Sequence, residues 1–127
     1  MEMEKKNILV VEDDKSLRNA LNDRLSSEGF GVLQARNGEE GLFIALDKKP
    51  DLVLLDIVMP KMDGITMLDK LRKDEQGKDI PVIMLTNLED TDNVGSVVEK
   101  GITNYLVKSN WKIDEVIEKI KKVLVIE

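Results

Sequence analysis

Five short apolar runs recur along the chain at fairly even spacing, separated by longer stretches with helical periodicity. The runs are ILVV (8–11), GVLQA (31–35), LVLL (52–55), PVIML (81–85) and NYLV (104–107). Continuous apolar runs, rather than runs that alternate with polar residues, are typical of strands buried on both faces of a parallel sheet. The pattern therefore predicts an α/β protein with five parallel strands.

The stretches between the runs complete this prediction. Apolar residues lie on one helical face at positions 17, 20, 21 and 25 and again at 113, 116, 117, 120 and 124, and weaker patterns cover 41–46, 65–71 and 94–98. Five strands that alternate with five helices favour a flavodoxin-like doubly wound fold with strand order 2-1-3-4-5. In that order the ligand site lies at the carboxyl ends of strands 1 and 3, where the winding direction reverses.

Length and charge limit the class of protein. The 127 residues predict a single domain over 1–127, with a core from about 7 to 124. Because 19 basic and 25 acidic residues give a net charge of -6 without a long block of like charge, we expect no direct nucleic acid binding. No apolar run approaches the length of a membrane span or a signal peptide, which predicts a cytoplasmic protein without a membrane partner.

The chain has no cysteine and no histidine. Disulfides, thiolate nucleophiles and imidazole bases are therefore excluded within it, as is a phosphohistidine intermediate. Carboxylates, hydroxyls and lysines remain, and oxygen ligands of this kind suit hard cations such as Mg²⁺.

Carboxylates are concentrated at the predicted ligand edge. Strand 1 is followed by Glu12, Asp13 and Asp14, and Asp56 ends strand 3. Clustered carboxylates repel one another unless a cation compensates their charge. The cluster therefore predicts a Mg²⁺ site. A carboxylate beside Mg²⁺ can also act as a nucleophile on phosphorus. Asp14 is better explained as the N-cap of the first helix.

Two other strand ends carry groups that suit a phosphoryl ligand. Thr86 ends strand 4 and offers a hydroxyl, and Lys108 follows strand 5 and offers a compact cation. Such a set stabilises a transferring phosphoryl group by position and electrostatics.

The segments ILVVEDD, LVLLDIVMPKMDG, PVIMLT and NYLVK occur in this order from Asn7 onward. Together they resemble the response-regulator receiver domain, the CheY-like module of two-component signalling, over a match that extends to about Leu124. The resemblance implies that Asp56 is the phosphoacceptor and that Mg²⁺ is the cofactor. Its ligands would be Glu12, Asp13, Asp56 and the main-chain carbonyl of Val58.

The same resemblance implies the partners and the switch. The phosphoryl donor would be a phosphohistidine on a histidine kinase or histidine phosphotransfer protein. Thr86 and Lys108 would bind the phosphoryl group, and Tyr105 would follow Thr86 inward as the aromatic switch. The fourth helix, fifth strand and fifth helix (α4-β5-α5) would then bind a downstream protein target or effector domain, and the response could include a phosphorylation-dependent homodimer.

Some alternatives stay open at this stage. Ser109 replaces the proline that usually follows the lysine, so the Lys108–Ser109 peptide is either a costly cis bond or part of a different loop. A receiver-like module that is never phosphorylated would have the same fold. A Mg²⁺-dependent phosphatase with an aspartyl-phosphate intermediate is disfavoured, because enzymes like haloacid dehalogenase carry an acid where this chain has Val58. The chain could be a stand-alone regulator or a receiver from a longer protein.

Overall fold

The computed structural model describes residues 5–57, 59–86, 104–107 and 112–124, with the backbone alone at 86 and 104–107. The elements within these ranges are β1 (Asn7–Val11), α1 (Lys15–Ser27), β2 (Gly31–Ala35), α2 (Gly38–Lys48), β3 (Leu52–Asp56), α3 (Gly64–Lys73), β4 (Val82–Thr86), β5 (Asn104–Val107) and a C-terminal helix (Ile113–Val123). All five predicted strands are present. The predicted fourth helix, read from residues 89–100, lies outside the described residues.

The strands form one parallel sheet in the order β2-β1-β3-β4-β5. The predicted flavodoxin-like fold and strand order are therefore confirmed. Val11 pairs with Leu55, so the residues that follow them, Glu12 and Asp56, lie at the same level of the sheet. This register brings the acidic turn after β1 beside the acidic end of β3.

Strand β3 shows why the apolar runs are continuous. All five of its residues are buried, and successive side chains enter different cores because they point to opposite faces of the sheet. Val53 and Leu55 pack in a cluster that includes residues of α2 and α3. Leu52 and Leu54 pack with residues of α1 and the C-terminal helix. The central strand is thus covered on both sides.

Side-chain caps start the three helices that follow β1, β2 and β3. Asp14 Oδ1 accepts the Leu17 amide at 3.1 Å, which confirms its predicted role as the N-cap of α1. Asn37 caps α2 in the same way, and Asp63 accepts the Thr66 amide at 2.7 Å to cap α3. These caps satisfy amide groups that the first helical turn leaves without intrahelical partners.

An ion-pair network joins α1 to the C-terminal helix. Arg24 lies 2.6 Å from a carboxylate oxygen of Asp114 and 3.2 Å from one of Glu28, and Lys121 Nζ lies 2.9 Å from Glu28 Oε1. Hydrogen bonds from Lys121 and Arg24 hold the pKa of the Glu28 carboxyl below its ordinary value.

In the described part of the chain, no helix has the length and apolar composition needed to cross a bilayer.

Candidate functional site

The turn after β1 holds one buried and one exposed acid. Glu12 is fully buried and Asp13 is exposed. The Glu12 amide donates to the carbonyl of Ala35 at 3.0 Å, which ties the turn to the end of β2. Glu12 Oε2 accepts the Asp14 amide at 3.0 Å. The backbone and the side chain of Glu12 are therefore both held in place.

Arg18 of α1 contacts this turn, although sequence reasoning missed it. Its Nη1 donates to the Glu12 carbonyl at 2.8 Å, and the residue is only 9% exposed. A signal was present, since Arg18 precedes Leu21 and Leu25 by three and seven positions on the buried face of α1. A charged residue on a core-facing stripe requires a polar partner.

The loop after β3 folds back onto its neighbours. Asp56 is the last residue of β3 and is 2% exposed. The Gly64 amide donates to the Ile57 carbonyl at 2.7 Å, and the Gly38 amide at the start of α2 donates to the Met62 carbonyl at 3.0 Å. These bonds tie the loop that follows Asp56 to the starts of α2 and α3.

A tight turn lies inside this loop. The Met62 amide donates to the Pro60 carbonyl at 2.7 Å, and the residue between them, Lys61, has a φ of 66°. A left-handed conformation at a non-glycine residue costs free energy and persists only where surrounding contacts impose it. Here the contact of Met62 with α2 supplies part of that constraint.

We expect Gly64→Ala to lower the free energy of unfolding by about 1–3 kcal/mol, because the added methyl group overpacks the backbone at the end of β3. A Cβ at Gly64 would overlap the Asp56 carbonyl oxygen and lie 3.0 Å from both the Asp56 carbonyl carbon and Ile57 Cα. Urea denaturation measures the loss of stability, and amide chemical shifts of Asp56 and Ile57 report the displacement.

Gly29→Ala is the matched control. Gly29 has a φ of 94°, so alanine is strained there, but its Cβ would meet no atom of the described residues within 4 Å. This variant should lose about 1 kcal/mol and leave the Asp56 and Ile57 shifts unchanged. Unchanged shifts in Gly64→Ala as well would contradict the proposed overlap.

Three acids meet at the carboxyl end of the sheet. Glu12, Asp13 and Asp56 each offer a carboxylate oxygen, and these atoms lie within 4.8 Å of one another. Ligand oxygens around one Mg²⁺ are about 3–4 Å apart, as follows from octahedral geometry with bonds of about 2.0–2.1 Å. An oxygen-only set of this spacing fits Mg²⁺ after small side-chain adjustments.

The structure places the other predicted site residues only in part. Thr86 ends β4, with its backbone paired with Val107 and one residue beyond Leu85, the partner of Asp56. It therefore lies at the same edge of the sheet as the acids. The backbone of Tyr105 pairs with Met84 in β5. Val58, Lys108 and Ser109 lie outside the described residues, so their predicted roles stay predictions.

Two curated relatives that the chain resembles are transcriptional regulators by name. The chain is 46% identical over 108 residues to a probable transcriptional regulator from Cyanophora paradoxa, covering 85% of this chain and 44% of that protein. It is 34% identical over 117 residues to a DNA-binding dual master transcriptional regulator from Synechocystis, covering 92% of this chain and 48% of that protein. The chain thus spans about half the length of these relatives.

These relatives correct one prediction about partners. Net charge predicted no direct nucleic acid binding, yet the Synechocystis relative is a DNA-binding regulator by name. The prediction is wrong because a net charge of -6 reports only on the segment over which it is summed. The aligned segment is less than half of that regulator, so the charge of this segment could not exclude nucleic acid as a partner.

A solved structure and a family model complete the comparison. The receiver domain of a sensor histidine kinase from Pseudomonas aeruginosa PAO1, which has a magnesium ion coordinated in its active site cleft, superposes with a TM-score of 0.84. It is 25% identical and the alignment covers 94% of this chain and 97% of that one. The response regulator receiver domain model matches residues 8–121, and the chain therefore belongs to the response regulator receiver domain family.

Proposed function

We propose that this chain is a phosphorylation-dependent switch in which Asp56 accepts a phosphoryl group from a histidine kinase or histidine phosphotransfer protein in a Mg²⁺-dependent reaction. The observation that carries the proposal is the meeting of Glu12, Asp13 and Asp56 at the carboxyl ends of β1 and β3. In a doubly wound sheet, ligands bind at this crevice. Because these 127 residues contain no histidine, the phosphohistidine must lie outside them.

The three acids have different roles in this proposal. A carboxylate oxygen of Asp56 attacks phosphorus, the bond between phosphorus and the donor imidazole nitrogen breaks, and an aspartyl phosphate forms. Glu12 and Asp13 would hold Mg²⁺ together with Asp56 and the Val58 carbonyl. The bound ion would neutralise charge on the phosphoryl oxygens and the carboxylates.

The residues at the carboxyl ends of β4 and β5 are proposed to transmit the effect of phosphorylation. Thr86 and Lys108 bind the phosphoryl oxygens, and Tyr105 moves with Thr86. The predicted α4-β5-α5 surface would then change its affinity for a downstream target or effector domain. The names of the curated relatives favour transcriptional regulation as the final output.

Incubation of the chain with acetyl phosphate and Mg²⁺ tests this function. We expect one phosphoryl group per chain, on Asp56, because its carboxylate is the proposed acceptor and lies beside those of Glu12 and Asp13. Borohydride reduction followed by peptide mass spectrometry locates the acyl phosphate, and EDTA should prevent its formation by removing the ion. Modification of a different residue, or equal modification in EDTA, would contradict the proposal. No modification at all would favour a receiver-like module that is never phosphorylated.

A further inference from the structure

Arg18 is a buried basic residue that contacts the backbone of one of the three acids. It lies on the buried face of α1 with Leu21 and Leu25, and it is 9% exposed. Burying a guanidinium is costly unless its hydrogen bonds are satisfied. Its Nη1 bond to the Glu12 carbonyl, at 2.8 Å, satisfies one of them. A core position of this kind would otherwise favour an apolar residue.

The contact completes the restraint on the turn that carries two of the acids. Glu12 donates its amide to Ala35 at 3.0 Å and its carbonyl accepts from Arg18, so the peptide groups on both sides of Glu12 are fixed. The carbonyl of Glu12 belongs to the peptide that leads into Asp13. The orientation of that peptide sets the direction in which the Asp13 side chain leaves the backbone.

We infer that Arg18 is a positioning residue for divalent-cation binding, which holds the Glu12–Asp13 peptide so that both carboxylates face Asp56. The inference rests on the proposed function, in which these acids bind Mg²⁺. Arg18 acts through the backbone of Glu12, in the way that outer partners of metal ligands orient the ligands themselves.

The direction of the change in Mg²⁺ affinity distinguishes a positioning role of Arg18 from an electrostatic one. A cation near the site repels Mg²⁺, so removing the Arg18 charge by itself would strengthen Mg²⁺ binding. Loss of the carbonyl contact loosens the turn and weakens Mg²⁺ binding. Positioning therefore predicts a change opposite to the electrostatic one.

Titration calorimetry with MgCl2 on the intact chain tests the inference through Arg18→Met. Methionine keeps an unbranched side chain and removes both the charge and the donor. We expect Mg²⁺ to bind at least about tenfold more weakly, the size of effect seen when outer partners of metal ligands are removed. Arg24→Met is the matched control, because it makes the same charge change farther along α1 and away from the Glu12 carbonyl. It should bind Mg²⁺ like the wild type.

Hydrogen exchange in metal-free buffer gives a second readout. The Asp14 amide depends on the position of Glu12, since it donates to Glu12 Oε2, whereas the Leu17 amide donates to Asp14 Oδ1 within the helix cap. Arg18→Met should accelerate exchange at Asp14 more than at Leu17. A variant that is only less stable as a whole would accelerate both amides together.

Each outcome decides the question. Failure of the wild type to bind Mg²⁺ overturns the proposed function and this inference with it. Wild-type binding with equal or tighter binding by Arg18→Met overturns the inference alone. If Arg18→Met does not fold, Arg18→Leu decides, because leucine also removes both the charge and the donor and suits a core-facing position. Weaker Mg²⁺ binding by that variant supports positioning, and equal or tighter binding overturns it.

Discussion

Asp56→Asn is expected to reduce phosphoryl incorporation by more than about 100-fold, because an amide replaces the only carboxylate proposed to attack phosphorus. The residue at this position is 2% exposed, and asparagine has nearly the same shape, so the fold should be retained. Incorporation from acetyl phosphate in Mg²⁺ buffer measures the effect, and circular dichroism checks the fold.

Asp51→Asn is the matched control for this change. Asp51 precedes β3 at the opposite edge of the sheet, where its Oδ2 accepts the Asn7 amide at 2.7 Å. An asparagine oxygen can still accept that bond. This variant should incorporate phosphoryl groups like the wild type. If Asp56→Asn incorporated as much phosphoryl group as the wild type, another residue would be the acceptor. That result would contradict the proposed switch.

Leu54→Ala is expected to lower the free energy of unfolding by about 2–5 kcal/mol. Leu54 is fully buried in the central strand and packs in the cluster shared with α1 and the C-terminal helix. The smaller side chain loses transfer free energy and leaves a cavity that close-packed neighbours fill only in part. Urea denaturation with both fluorescence and circular dichroism measures the difference.

Phe43→Ala serves as the control for that comparison. Phe43 is 70% exposed on α2, so a larger side chain is removed from a position that buries little of it. We expect a change within about 0.5 kcal/mol, as is usual for surface substitutions. A loss as large as that of Leu54→Ala would show that Phe43 packs against part of the chain outside the described residues.

Strand β3 could be predicted from the sequence, whereas the role of Arg18 could not. β3 could be predicted because a strand buried on both faces must be apolar along its whole length, so LVLL was a sufficient signal. Arg18 stands on the core-facing stripe of α1, which indicates a polar partner, but the pattern does not say which group that partner is. Its role depends on the distance from Nη1 to the Glu12 carbonyl, which the helical period does not specify.

The partner prediction failed for a related reason. Net charge is a sum over the residues counted, and it contains no information on the rest of a protein. A relative named as DNA-binding matches the chain with about half of its own length. Comparison with known proteins, rather than charge, was therefore needed to connect this receiver with transcriptional regulators.

Local patterns in the chain are enough to predict a five-stranded parallel sheet, its strand order and the edge at which Glu12, Asp13 and Asp56 collect. These properties follow from side-chain period and chain connectivity, both of which are written along the sequence. The spacing of the three carboxylates and the anchoring of their turn by Ala35 and Arg18 depend on folding. Such contacts join separate elements, and their distances are set by packing and register rather than by the order of residues.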